Sequence, residues 1–296
     1  KDVMADMALK GAPVSTAWLD ALAAVVFDDS LDPAFRALCL RLPAEDELAQ
    51  TIHGLGRVPD PNEIHAARRE MSRALADRLG DGLEKLYHGL DDRSLAYSPE
   101  SGQAGRRALR IASLGLLSRR DGGKLAADAY ANARSMTEEF GALMALLEVG
   151  KGQPELATFA ARWGHDANIM DKWFSLQIAF AEPDEAAALT ARLTERPEFD
   201  WKNPNRFRSA IGALSTNHAG FHHRSGAGYK LVADWLLRMD PLNPQTASRV
   251  STAFETWRRY DAARRKRAKA ELSRILAAPD LSGDLREMVE RMLAAG

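Results

Sequence analysis

The sequence is poor in features that point directly to a chemistry. Its one cysteine rules out an internal disulfide framework. Cys39 sits in Phe35-Arg-Ala-Leu-Cys-Leu-Arg-Leu42, an apolar helical face, and reads as a buried structural thiol rather than a nucleophile. No apolar run reaches the length of a membrane span. No basic-then-apolar leader with a small-residue cleavage site opens the chain. The first residue is Lys1, so the sequence reads as a piece of a longer protein or a processed chain, with the cytoplasm as default compartment and no membrane partner. Forty Lys+Arg against forty-one Asp+Glu give a net charge of -1, which excludes a polyanion binder by charge alone.

Recognisable catalytic motifs are also missing. No His-Glu-x-x-His occurs, so no zincin metal site is expected. Gly-x-Ser-x-Gly and P-loop patterns are absent. Gly54-Leu-Gly56 and Gly226-Ala-Gly228 lack the strand context of a phosphate loop and read as turns. His218, His222 and His223 cluster around Ala219-Gly220, in an expected interhelical loop, with no carboxylate at ligand spacing. His53, His65, His88 and His165 stand alone. No metal ligand and no catalytic residue is therefore assigned.

What the chain does have is helical periodicity. At 46% hydrophobic and 296 residues it can bury a sizeable core. Trp18, Leu19, Leu22, Val25 and Val26 repeat behind Ser15, a suitable cap. Asp32-Pro33 opens a helix that Pro43 closes. A long pattern runs from Pro61 towards Leu90, with Gly80 and Gly82 placed to kink it. Residues 91–105 read as polar loop. Three helices are then expected over 106–119, 123–134 and 137–149. No segment alternates like a strand.

After residue 150 a period emerges. First helices are expected near 166, 204, 244 and 283, each with a partner, a spacing of about 40 residues like that of HEAT or armadillo helix pairs. The expected fold is all-α, a superhelical stack of antiparallel helix pairs. It forms a single domain over 1–296, with a less regular part at 1–150 and regular pairs at 151–296.

Two of the first helices share an opening. Asn203-Pro204 and Asn243-Pro244 each put a capping amide before a proline at the first helical position. Each opening is followed by an arginine, Arg208 or Arg249, and Gln245 lies one turn before Arg249 on the same face. In a solenoid the two openings become neighbours on one rim. Two helix N-termini and two guanidiniums there suit a carboxylate or other anion. Pairing of both arginines with acidic side chains across the repeat boundary is the alternative. The basic stretch Arg258-Arg-Tyr-Asp-Ala-Ala-Arg-Arg-Lys-Arg-Ala-Lys269 could grip phosphate backbone, but with a net charge of -1 it reads better as a solvated helix face, so no nucleic-acid partner is expected. Trp163, Trp173, Phe174, Trp235 and Trp257 are expected in the core.

Several segments together resemble the C-terminal domain of bacterial aminopeptidase N, of the M1 zinc metallopeptidase family. They are Met170-Asp-Lys-Trp-Phe174, Asn203-Pro-Asn-Arg-Phe-Arg-Ser-Ala-Ile-Gly-Ala213, Gly226-Ala-Gly-Tyr229, Asn243-Pro-Gln-Thr-Ala-Ser-Arg249, Arg259-Tyr-Asp-Ala262 and Leu281-Ser-Gly-Asp-Leu285. Their order and spacing fit, and the resemblance extends over essentially the whole chain. It implies a non-catalytic, all-helical final domain that closes over an upstream catalytic domain of the same polypeptide and walls its cavity. Zinc and hydrolysis of N-terminal residues would belong to that upstream domain, with no cofactor in this chain. Peptides would be the substrates, with Arg208 and Arg249 facing the cavity and Gln245 beside the pocket for the released residue. A free-standing helical-repeat scaffold for protein or nucleic acid is the other reading.

Overall fold

A computed structural model describes residues 1–92 and 94–294, and every regular element among them is helical. In chain order these are α1 (Asp2–Lys10), α2 (Thr16–Phe27), α3 (Pro33–Cys39), α4 (Glu45–Gly54), α5 (Pro61–Gly89), α6 (Ser101–Asp121), α7 (Lys124–Ala131), α8 (Met136–Leu147) and α9 (Gln153–Trp163). There follow α10 (Ala167–Ala179), α11 (Ala186–Thr194), α12 (Pro204–Phe207), α13 (Ala213–Thr216), α14 (His218–Phe221), α15 (Ala227–Met239), α16 (Pro244–Ser251), α17 (Ala262–Leu276) and α18 (Gly283–Ala294). None is long and apolar enough to cross a membrane.

The helices begin where side chains can satisfy orphan N–H groups. Ser15 accepts from Trp18 N, Asp32 from Ala34 N and Phe35 N, Ser135 from Glu138 N, and Asp166 from Asn168 N and Ile169 N. Each such cap stabilises its helix by about 1 kcal/mol.

The chain forms two compact units: Lys1–Ala44 with Ala66–Ala161, and Glu45–His65 with Arg162–Gly296. In the first, Met71, Leu75, Leu79 and Leu83 of α5 are buried, as are Leu109, Leu114 and Leu117 of α6. Gly80 adopts φ 41°, ψ −127° and kinks α5, a backbone state open to glycine at little cost. Several expectations need revision here. α6 starts at Ser101, so the loop expected over 91–105 is shorter; Gln103 Oε1 accepts Ser98 N at 2.9 Å beside this start. α9 was not anticipated, yet it buries Leu156 and Phe159. α3 ends at Cys39, before Pro43, and its thiol is only half-buried. The supposed apolar face exposes Phe35 and Leu38 (49% and 58%), while Arg36 is buried with Nε donating to Val26 O at 2.7 Å.

The second unit carries the repeat. α10, α12, α16 and α18 start at residues 167, 204, 244 and 283. α10 packs on α11 and α13, and α16 packs on α15 and α18. An aromatic core links the layers: Phe174 to Phe199 at 5.9 Å, Phe199 to Trp235 at 5.5 Å and Phe207 to Trp235 at 6.2 Å between ring centroids. Burying each such ring contributes several kcal/mol with its contacts. Trp163 is the exception to the expected core set: it is half-buried, stacked with His165. Ser282 ties α18 to the end of α15 by donating from N and Oγ to the Asp240 carboxylate. Gly228 is not in a turn as expected. It lies in the first turn of α15, where an added Cβ would come within 2.6 Å of Phe221 O.

Candidate functional site

Three successive first helices of the second unit line a cleft of about 510 Å³. Ser175 and Ala179 come from α10. Arg208, Gly212, Ala213, Ser215 and Thr216 come from the segment that runs from α12 into α13. Arg249, Val250, Thr252 and Ala253 come from α16 and the turn after it. Apart from the two guanidiniums and one valine, the wall is glycine, alanine and hydroxyl side chains, and no carboxylate lines it.

Local structure sets the wall. Between α12 and α13, Arg208–Gly212 forms one π-helical turn. Such bulges add a residue per turn, loosen the i→i−4 ladder and re-aim the side chains that follow. The Ser175 hydroxyl donates to the Ser209 carbonyl at 3.0 Å, so α10 satisfies a carbonyl of that turn. The other hydroxyls bond back to their own helices: Ser215 to Gly212 O (2.6 Å), Thr216 to Ala213 O (2.8 Å) and Thr252 to Arg249 O (2.8 Å). Donor protons are thereby held off the cavity, while hydroxyl oxygens and small side chains keep it open.

Neither cleft arginine has an acidic partner among the described residues. Arg208 donates only from Nη2 to Asn205 Oδ1, at 2.5 Å. Arg249 makes no side-chain hydrogen bond or ion pair and is exposed. The cross-boundary ion pairs considered from the sequence are therefore not formed. Arg206, two residues before Arg208, is the opposite case. It is buried, with Nε to Asp171 Oδ1 at 2.5 Å, Nη1 to Glu198 O and Nη2 to Ala167 O, over the face of Phe174.

The Asn-Pro openings cap their helices as expected, but contribute no side chain to the cleft. Asn203 accepts from Asn205 N and Arg206 N, and Asn243 from Thr246 N, so both cap their helices. Neither asparagine lines the cleft, which lies further along the helices. α16 has eight residues and Arg249 falls in its last turn, where a cation meets the negative end of the dipole. Its position is favourable, not strained as a place near the helix start would be. Gln245 is exposed in the first turn of α16 and is not among the cleft-lining residues. Ser175, Ser215, Thr216 and Thr252 were not singled out from the sequence. The usable signal was register: each falls in or just after a first helix of a successive repeat.

The histidine cluster is a second polar assembly in the same unit. His218 is buried in the short helix α14, where a loop was expected, and His222 is buried in the turn between α14 and α15, with ring centroids 4.9 Å apart. His218 Nε2 pairs with Tyr260 OH and His222 Nδ1 with Tyr229 OH, each at 2.8 Å. Burial pushes His218 down to about 4, against the opposing pull of Glu45, whose Oε2 lies 3.8 Å from Nδ1. Burial likewise holds His222 well below the usual imidazole range, helped by His218 and Arg264. Both rings are thus neutral near pH 7. Among the described residues no group of three or more His, Cys, Asp or Glu is placed to hold a metal ion. One ring nitrogen of each histidine is engaged by a tyrosine hydroxyl, so the pair serves as a hydrogen-bonded core element.

Arg264 closes that assembly. The sequence placed it on a solvated face, yet it is 2% exposed. Nε donates to His222 O at 2.7 Å, Nη1 to Asp261 Oδ2 at 2.5 Å and Nη2 to Asp60 Oδ1 at 3.3 Å. Burial alone would raise the Asp60 carboxyl. The Asn62 N–H and the guanidiniums of Arg264 and Arg224 outweigh it and hold the pKa below the ordinary carboxylate value. Arg265, Lys266, Arg267 and Lys269 remain exposed, as expected.

Comparison with known proteins bears on the whole chain. Residues 1–294 match the family described as "domain of unknown function (DUF3458_C) ARM repeats". Aminopeptidase N of Caulobacter vibrioides is 36% identical over 291 residues, 93% of this chain and 32% of that protein. The enzymes of the same name from Haemophilus influenzae and Escherichia coli are 33% and 32% identical, covering 95% and 93% of this chain and 32% of each relative. The chain thus spans about a third of the length of these relatives. A crystal structure of Legionella pneumophila aminopeptidase A in complex with aspartic acid superposes with a TM-score of 0.86 at 25% identity, over 99% of this chain and 35% of that one.

Proposed function

The chain belongs to the DUF3458_C armadillo-repeat family and corresponds to the C-terminal domain of aminopeptidase N, and from that premise we propose that it receives the substrate peptide without cleaving it. Hydrolysis of the N-terminal residue, and the zinc that supports it, belong to a catalytic part that lies upstream in the same polypeptide. This chain closes the cavity over that part. The observation that carries the proposal is the pair Arg208 and Arg249: two guanidiniums without acidic partners, in a cleft with no carboxylate on its wall. A peptide held by its amino end presents carbonyls and finally a carboxylate. Arginine matches both, and binds a carboxylate through two parallel N–H donors. Holding the chain in register lowers the entropic part of the barrier, and excluding water strengthens the polar contacts. Gln245 contributes from the same face of α16, one turn away, as the weaker contact.

The test has two arms. Alone, the chain hydrolyses no aminoacyl reporter and holds no stoichiometric zinc; one tightly held zinc per chain together with turnover overturns the proposal. In the full-length enzyme, Arg249→Ala raises KM for short peptides more than it lowers kcat. A kinetically silent variant removes Arg249 from the substrate path.

A further inference from the structure

The first unit holds a cavity of its own, with a volume of about 60 Å³, between α5, α6, α7 and α8. At roughly 10–15 Å³ per water-sized occupant, that is room for four to six such groups, the size of a small metabolite rather than of a peptide. Arg107 and Arg110 of α6 line it, together with Asp128 of α7 and Glu138 of α8. Two cations and two anions balance. A bare anion would meet both carboxylates, and a bare cation both guanidiniums. The matching ligand carries one charge of each sign.

The groups are unequally engaged. Arg107 is buried, with Nη2 donating to Ser98 O at 2.9 Å and Nη1 to Gln103 Oε1 at 3.4 Å, stacked over Tyr97. Arg110 is held over Tyr87, its guanidinium carbon 4.4 Å from the ring centroid, and Nη2 is a distant 3.7 Å from Asp91 Oδ2. Its Nε is buried and has no hydrogen-bond partner. A buried N–H of a charged group left unmet is costly, and native structures seldom keep one without a reason. Among the carboxylates, Glu138 Oε2 accepts Arg134 N at 2.8 Å and Asp128 Oδ1 accepts the Asn132 amide at 3.1 Å, which uses one oxygen of each. Ile111, Leu114 and Leu125 supply an apolar part of the wall.

We propose that this cavity binds a free α-amino acid no larger than alanine. The carboxylate accepts from Arg110 Nε, the ammonium donates to the remaining oxygens of Asp128 and Glu138, and the side chain meets Leu114 and Leu125. The proposal stands on the first unit alone and does not depend on the role of Arg208 and Arg249.

The test is titration of the chain with glycine, alanine, propionate and ethylammonium at constant ionic strength. It is followed by calorimetry and by the 15N resonance of Arg110 Nε–H. Glycine and alanine are expected to bind at least about tenfold more tightly than either single-charge analogue. They should shift the Arg110 Nε–H signal. Asp128→Asn, an exposed position whose change leaves the shape intact, and Arg110→Met should each weaken alanine binding by about tenfold or more. Arg249→Ala should leave it unchanged. Equal binding of propionate and alanine overturns the proposal. So does binding lost in Arg249→Ala but kept in Asp128→Asn, or an Arg110 Nε–H signal that does not move at saturating amino acid.

Discussion

Arg264 and Arg249 sit in the same unit on neighbouring helices, and their surroundings are opposite. Arg264 is enclosed by His222 O, Asp261 and Asp60, with three of its donors bonded and almost no surface left. Arg249 stands in a cleft with no side-chain partner among the described residues. The residue type is the same and the local sequence is basic or polar in both cases. The distinction lies in the satisfaction of donors: a guanidinium whose three nitrogens each donate inside the protein fixes the fold, and one whose donors face an acid-free cleft is available to a ligand. The contrast predicts that mutation at the first site is read in stability and at the second in binding.

The largest expected effect is at Arg264. Arg264→Met takes the charged donor from the buried His222 carbonyl and removes one cation from the partly exposed Asp60 and Asp261. Loss of a hydrogen bond to a charged group typically costs about 1.5–3 kcal/mol. The urea midpoint should fall accordingly, whereas Arg249→Ala should stay within about 0.5 kcal/mol of the parent, as an exposed site does. Comparable losses at both positions would erase the contrast.

Next comes pH. His218 has its pKa lowered from 6.5 to about 4 by burial, with Glu45 and Asp46 pulling it up and Arg264 and Arg259 pushing it down. Above 6.5 the ring is neutral in both folded and unfolded chains. As pH falls from 6.5 towards 4, the unfolded chain takes up a proton that the folded one refuses, so stability declines; below about 4 both are protonated and the decline levels off. His218 accounts for about 3 kcal/mol over that window, and His222 acts in the same direction. Denaturation midpoints measured from pH 7 to 4 should therefore drop steeply. In His218→Phe the slope should be roughly halved, because one of two such protons is removed. An unchanged slope in that variant would show that the histidines do not govern acid sensitivity.

Much of this architecture was legible in the sequence, and the reason is local chemistry. Asn203, Asn243 and Asp166 cap helices where a short polar side chain precedes a periodic run, and the chain position of a cap needs no tertiary information. The period of the first helices followed from those caps. Three things were not legible. The π-turn at Arg208–Gly212 leaves no mark in residue spacing, because its stabilising partner, Ser175, comes from another repeat. The roles of Arg206 and Arg208 cannot be separated by type. Two residues apart on a helix means about 200° of rotation, so one faces the core and the other the cleft, but only packing decides which. Arg264 was read as solvated, and the burial of His218 was not foreseen, because their partners Asp60 and Glu45 lie far away in the chain.

The binding side of the comparison is sharpened by Arg249→Ala in the full-length enzyme. A hydrogen bond to a charged group is worth about 1.5–3 kcal/mol, so KM for short peptides should rise by about tenfold or more with a smaller change in kcat. Arg208 should respond less, because its Nη2 is already held by Asn205. The ratio of the two KM effects thus reports how far prior engagement of a guanidinium reduces its use by substrate.

The smallest effect is expected at Gln245. It shares a helix face with Arg249 but lies one turn closer to the N-terminus, outside the cleft wall. A neutral amide contributes about 0.5–1.5 kcal/mol per hydrogen bond, less than a guanidinium on a carboxylate. Gln245→Ala should then change KM only about two- to fivefold, and its effect should depend on the substrate's first side chain rather than on peptide length. Arg249→Ala should show the reverse dependence, on length and on the free carboxylate. If Gln245→Ala matched Arg249→Ala in size and in length dependence, the cleft wall would not mark the edge of the substrate path, and the path would run along the whole exposed face of α16.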